Sequence, residues 1–436
     1  MCATDSPPPV SASAEPPRTV RRRSVLGAAL AGTGMAVAGS IAAATPASAA
    51  PSVSPFIQVL PFRASQPQGT MLTLLGTSGG PQAEYGRCGT SSVLTVREGK
   101  ESYNYLIDAG RGSVTQYLNS GLLFNRLQAM FVTHLHADHL GDFYNYFLLE
   151  GGQPNAEGDR LPYPVGSDVP PKLQNTLYVY GPGSAGALPV VPPGKPVPEI
   201  IAPNNPVPGT KDLINRLNEG YAYSYNVFER GDGTQPITGL QQNIIENPIP
   251  ADVGASSTNT APLMQPFKLH EDNRVRVSAI LVPHGSVFPC FAYRFETAEG
   301  AVVFSGDTSC AEDPKDPRKI NPAANNVITL AKGADILVHE VMNWDLILTN
   351  FKIKNPGQNW QDNPLLSHLH ESHTRADQVG QVATAAGVPV LALTHLIPSN
   401  PVDCPDFLWK QIIGRDFRGR IVVGNDRDQI PLPVRR

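Results

Sequence analysis

The sequence predicts an α/β fold with sheets in the core and helices outside. Short β-rich apolar runs alternate with stretches of helical period, the pattern of layered α/β domains. This alternation comes in two halves, separated by a segment from Ser184 to about Gln265 in which it breaks down. Composition is the third observation. Hydrophobic residues make up 41%, ample for a core, while Gly 39 and Pro 43 make the 436-residue chain loop-rich without reaching low complexity. Charged residues are only 17%, and Lys+Arg 34 against Asp+Glu 38 leaves a formal −4. Collagen, coiled coil, disordered tail and polytopic membrane protein are excluded. A protein that grips long nucleic acid by charge alone is disfavoured.

Residues 1–49 read as an address rather than as fold. Arg21-Arg22-Arg23-Ser24-Val25-Leu26 leads into a soft apolar run from Val25 to Ala44, closed by Ala47-Ser48-Ala49. Charged region, apolar region and small-residue cleavage pattern together make a signal peptide. Paired arginines before a weakly hydrophobic Gly/Ala stretch point to the twin-arginine route, hence a secreted or cell-envelope location with no stable membrane insertion after cleavage. A linker, 50–69, follows. Cys2 leaves with the leader; Cys88, Cys290, Cys310 and Cys404 are too few for a disulfide framework, and their pairing stays open.

One domain is read over 70–430. Met71–Leu75 forms a strand that runs into the glycine turn Gly76–Gly80. Ser91–Val96 and Tyr103–Ile107 are further strands, the second ending at Asp108-Ala109-Gly110. Ala129–Val132 is a buried strand that delivers Thr133-His134 at its end, and Leu177–Tyr180 closes with Gly181-Pro182-Gly183. The insertion, 184–270, is read as a long loop with short periodic pieces such as Lys211–Glu219. Strands resume at Val275–Val282, Phe291–Phe295, Val302–Ser305, Ile336–His339, Val390–Thr394 and Ile421–Val423. Asn325–Lys332 and Arg375–Ala386 have helical period.

The chemistry concentrates in Thr133-His134-Leu135-His136-Ala137-Asp138-His139. Three imidazoles and a carboxylate lie within six residues at a strand exit. His134 and His136 can turn toward one ion, while Asp138 and His139 serve a second; imidazole with carboxylate suits zinc in an open, catalytic arrangement. Further ligand-competent groups stand just past apolar runs: His284 in Val282-Pro283-His284, Asp307 in Ser305-Gly306-Asp307, His395 after Leu393-Thr394.

These residues resemble the metallo-β-lactamase superfamily, and within it the tRNase Z-like branch of phosphodiesterases, which includes arylsulfatases. The likeness spans most of the mature chain outside the insertion. Leu74–Gly80 looks like that branch's opening strand and turn, Ile107–Gly110 like its Asp-x-Gly turn, and His134–His139 like the superfamily signature. His284 with Pro289, Tyr293 and Arg294, then Gly306-Asp307-Thr308, His339-Glu340 and Ser372-His373-Thr374, are similar to branch motifs. The resemblance implies a four-layer αββα sandwich with a long loop-rich insertion. It implies two Zn2+ ions, one on His134, His136 and His284, the other on Asp138, His139 and His395, with Asp307 bridging. It also implies hydrolysis by a metal-bound hydroxide, with Asp138 accepting a proton and Glu340 with His373 stabilising and protonating the leaving group. Dimers are frequent among such proteins. Known β-lactamases of this fold lack the Gly-Asp-Thr bridge, which favours phospho- or sulfo-ester cleavage.

One departure shapes the expected substrate. tRNA-processing relatives clamp RNA with a basic arm, whereas residues 184–265 carry only Lys195, Lys211, Arg216 and Arg230. The sequence reading is therefore a small-molecule anionic ester, phosphodiester or aryl sulfate, with no tRNA expected. Rivals are a hydrolase of uncharged esters, lactones or β-lactams, an iron-dependent redox member of the superfamily, and a non-catalytic binding protein. His368 and His370 are read as structural or pocket-lining, His270 as surface, and Trp344 with Trp360 as packing. Cys290 and Cys310 are read as packing residues or a disulfide.

Overall fold

A computed structural model describes residues 69–80, 82, 86–148, 177–191, 194, 196–231 and 243–432. The leader over 1–49 and all but the last residue of the linker over 50–69 lie outside the described residues. Gly69 itself already belongs to a strand. In the first half, the strands are β1 (Gly69–Gly76), β2 (Ser91–Glu98), β3 (Glu101–Ile107), β4 (Leu127–Phe131), β5 (Tyr178–Gly181) and β6 (Ile244–Glu246). Its helices are α1 (Ser113–Asn119), α2 (Ala137–Leu140), α3 (Asn145–Leu148), α4 (Thr210–Gly220) and α5 (Ala222–Gly231). The second half contributes β7 (Phe267–Glu271), β8 (Arg276–Leu281), β9 (Phe291–Thr297), β10 (Gly300–Phe304), β11 (Glu312–Asp313) and β12 (Asp316–Ile320). It continues with β13 (Ile336–Met342), β14 (Val390–Ile397), β15 (Arg420–Val423) and β16 (Gln429–Pro431). Its helices are α6 (Asn326–Ala331), α7 (Trp344–Lys354), α8 (Pro364–Ser372), α9 (Ala376–Ala386) and α10 (Asp406–Ile413).

Two seven-stranded sheets result, ordered β16-β1-β2-β3-β4-β5-β6 and β15-β14-β13-β10-β9-β8-β7. Strand alternation decides what faces what. Leu72, Leu74, Leu94, Tyr105 and Phe131 of the first sheet share one buried cluster with Val277, Tyr293, Phe295 and Val302 of the second. Val93, Leu106, Met130 and Val179 point the other way, onto Tyr117 of α1 and Ile214 of α4. Helices α6, α9 and α10 pack on the second sheet, where β13 is buried along its whole length. Each fully buried aliphatic side chain contributes about 1.5–3 kcal/mol, so this double interior dominates stability. The architecture is the four-layer αββα sandwich that the resemblance led us to expect.

The periodic piece at Lys211–Glu219 falls within α4, but the insertion holds more regular structure than its reading as a long loop implies. It contains α4, α5 and the edge strands of both sheets, β6 against β5 and β7 against β8. Edge strands this short, with β6 only three residues long, leave too little alternation to read. His270 is also not a surface residue. Its side chain is 11% exposed, its ring packs against Phe131 and Tyr180, and Nδ1 lies 2.9 Å from Tyr180 Oη. All four described cysteines are free, so Cys290 and Cys310 are packing residues and the disulfide alternative falls. Trp344 and Trp360 pack edge to face at 4.9 Å, with the His370 ring against both. Among the described residues, no helix is long and apolar enough to cross a membrane.

Candidate metal centre

Parallel strands end together at one rim, and the loops leaving them carry the polar residues. The loop after β4 brings His134 and His136, then α2 brings Asp138 and His139. Strands β8, β10 and β14 of the second sheet bring His284, Asp307 and His395 to the same place. Ligand atoms of His134, His136 and His284 form one group, and those of Asp138, His139, Asp307 and His395 another, each within 4.8 Å. Asp307 stands between them. Its Oδ2 is 3.9 Å from His134 Nε2 and 3.8 Å from His284 Nε2, and 3.3 Å and 3.1 Å from the Nε2 atoms of His139 and His395. All but His136 are buried.

The imidazoles are aimed by contacts on their far side, the usual arrangement around metal ligands. His139 Nδ1–H donates to Asp108 Oδ2 at 2.8 Å, and His284 Nδ1–H to the Ser372 carbonyl at 2.8 Å. Asp108 is itself fixed by Thr133, whose N–H and Oγ1–H donate to its two oxygens at 2.8 Å each. That positioning role went unread; the sequence showed Asp108 only as a turn residue. The glycine turn after β1 packs directly against the candidate ligands. Gly80 N–H donates to Asp138 Oδ2 at 3.1 Å, and a Cβ on Gly79 would come within 2.6 Å of His395 Nδ1. Among the described residues, two of the four non-glycine positions with positive φ are Asp108 (54°) and His395 (44°). Backbone held in that sparsely populated region is stored strain, and it concentrates at this centre.

Electrostatics separates the two groups. Burial pushes His134 down and His284 down to about 3, so both are neutral donors. Burial also opposes charge on His139 and His395, but Asp307 with Asp108 and Asp138 outweighs it for His139, raising it. Asp307 and Asp138 likewise raise His395, to about 10. Asp307 is lowered well below the usual carboxylate range: burial opposes this, but His395 and His139 win. Among the described residues, Nε2 of His134 and His139 and Oδ1 of Asp307 are buried without a hydrogen-bond partner. Orphaned buried polar atoms are costly, and here they converge where cations would satisfy them. The donor set, five imidazoles and two carboxylates, fits metal ions of the zinc type.

Glu340 and His373 sit beside the second group. Glu340 Oε1 accepts from Thr374 N–H at 2.7 Å, while Oε2 faces His373 Nδ1 at 3.4 Å. Burial raises Glu340 to about 8 and lowers His373 to about 4. The structure also places His368 at the rim, its ring centroid 6.2 Å from that of His136 and 6.1 Å from that of His284.

No family model matches the chain. Ribonuclease Z of Mycobacterium bovis is 24% identical over 367 residues, covering 84% of this chain and 99% of the relative. Ribonuclease Z of Mycolicibacterium paratuberculosis is 26% identical over 368 residues, covering 83% and 99%. Among solved structures, the short form of human tRNase Z aligns with TM-score 0.47 at 18% identity, over 84% of this chain and 100% of that one. The metallo-β-lactamase fold protein YhfI from Bacillus subtilis aligns with TM-score 0.46 at 15% identity, over 84% and 100%. The expectation of a small-molecule ester with tRNA excluded is thereby overturned. It rested on the scarcity of cations in 184–265, yet proteins named ribonuclease Z match this chain along 99% of their own length.

Proposed function

We infer that this chain, similar to proteins named ribonuclease Z along 99% of their length, is a ribonuclease Z-like metal-dependent hydrolase that cleaves phosphodiester bonds in RNA of the tRNA class. The observation that carries this is the single oxygen of Asp307 set 3.1–3.9 Å from four imidazole nitrogens of both ligand groups. A carboxylate so placed suits two ions rather than one. We assign His134, His136 and His284 to the first and Asp138, His139 and His395 to the second, with Asp307 shared. Zinc ions bound there would polarise a phosphoryl oxygen and lower the pKa of water toward ~7.

The chain's own groups do the rest. Asp138, held by Gly80 N–H, is placed to take a proton from the attacking water. Glu340, raised to about 8 and so able to hold a proton, directs Oε2 at His373 Nδ1; passing that proton to Nδ1 lets the neutral His373 give its Nε2 proton to a departing oxygen. The twin-arginine leader would carry the folded, loaded protein across a membrane; cell fractionation of the Arg22→Lys/Arg23→Lys double variant tests this, and unchanged export of the variant would refute the route.

The function is tested on zinc-loaded protein with precursor tRNA and bis(p-nitrophenyl) phosphate, beside an aryl sulfate and a lactam. Cleavage of the phosphodiesters is expected, with two zinc ions per chain by mass spectrometry. Turnover of the lactam alone, or iron in place of zinc, would reverse the assignment.

A further inference from the structure

We propose that the groove opening beside His136 is a nucleobase-binding subsite. The inference rests on the phosphodiesterase reading of the neighbouring centre. The groove, about 370 Å³, lies in the size range of small-molecule sites. One wall is Leu135 and His136 from the loop after β4, continued by Ser286–Pro289 just past His284. The opposite wall belongs to the insertion, with Pro189 and Pro206-Val207-Pro208. The groove thus adjoins the first ligand group and is half built by the segment that the sequence left without a role.

Its chemistry selects the occupant. Among the described residues, no Asp, Glu, Lys or Arg lines it. Those walls offer a phosphate chain no cation to track. Proline rings have fixed φ, so the insertion wall is preset rather than ordered on binding. Flat apolar faces from Phe288, Leu135 and the prolines suit a planar ring, and the hydroxyls of Ser257 and Ser286 can meet polar atoms on its edge. RNA offers such a ring whenever a base is unstacked, and single-stranded bases are read by stacking and edge hydrogen bonds. The subsite would take the base next to the scissile phosphate, giving this chain a grip that a cation-poor insertion cannot supply through charge.

Equilibrium dialysis of the zinc-loaded full chain compares adenosine 5′-monophosphate with ribose 5-phosphate, which lacks the base. We expect the nucleotide to bind about tenfold or more tightly, the scale of one stacked base. Val207→Asp should pull that ratio toward one. Equal binding by the wild type overturns the proposal whatever the variant does. So does a preference that persists in a Val207→Asp protein of unchanged circular dichroism and zinc content. Tighter binding of octyl phosphate than of the nucleotide would make the groove an alkyl site and also overturn it. The two readings fail separately: a base preference without phosphodiester turnover refutes only the phosphodiesterase, and turnover without a base preference refutes only the subsite.

Discussion

Asp307 Oδ2 lies near Nε2 atoms of both candidate ligand groups, so the proposed two-ion reading depends on this residue. Asp307→Asn keeps the shape and removes the charge. It should lower metal content at both positions and turnover by about 10³-fold or more; full zinc occupancy in the variant would contradict the bridging assignment. Asp108 acts one step removed, through His139. Asp108→Asn should weaken zinc affinity by about 10–100-fold with secondary structure intact, read by competition with a chelating dye. The charge state of the centre gives a further expectation. Burial opposes the protons on His139 and His395, but the carboxylates hold them, His395 up to about 10. Raised folded values mean that these contacts stabilise the metal-free fold fully below ~6.5 and are lost as pH rises toward 10. Zinc must displace the same protons, so uptake at pH 7 should acidify a weakly buffered solution and weaken as pH falls. Zinc binding without proton release would count against this account.

At the scale of elements, legibility followed length and contrast. The motif loop after β4 could be read because three histidines in six residues stand out against any background, and their strand is apolar. Strands β8, β10 and β14 were legible for the same reason. Helices α7, α8 and α10 went unread, although α8 carries a usable signal: Asn363 caps Leu365 and Leu366 N–H, with Pro364 at the first helical position. Helix α7 buries only Trp344, so its sequence has no strong apolar stripe. His270 was misread because the charged run after it looked like surface. That run is a turn that ties the sheets together. Asp272, next to β7, accepts from Tyr105 Oη on β3 at 2.6 Å, and from the Arg274 and Val275 N–H groups at 2.8 and 2.9 Å. Burial would raise the Asp272 carboxyl, but hydrogen bonds from His270, Tyr105 and the backbone lower it below the usual range. A lowered carboxylate stabilises above its unfolded value near 4, and the benefit fades as pH drops through the folded one. Asp272→Ala should cost roughly 1–3 kcal/mol at pH 7. Urea unfolding should show the deficit shrinking below pH 4, and a deficit independent of pH would refute the clamp.

For the whole molecule, the division of labour between the halves matters most. The first sheet's loop and helix supply four candidate ligand residues, His134, His136, Asp138 and His139, and the second sheet supplies His284, Asp307 and His395. Neither half holds a complete set for either position. Metal removal should therefore lower the thermal midpoint by roughly 5–10 °C. Calorimetry with and without a chelator measures this, and an unchanged midpoint after full demetallation would exclude it. The α/β class was visible in the two-part alternation, while the four-layer αββα plan came from the family resemblance. The proposed substrate class was not visible, because the insertion's scarcity of cations pointed away from RNA while its prolines gave no periodic signal.

The path between β6 and β7 crosses from one sheet to the other and includes exposed Thr258 and Asn259. A protease cut there would leave two fragments, with β16 of the later one still annealed to β1 of the earlier. The shared interior and the β1–β16 pairing would hold such a severed protein together, and its cations would add a third tie, so sequestering them would loosen the seam without parting it.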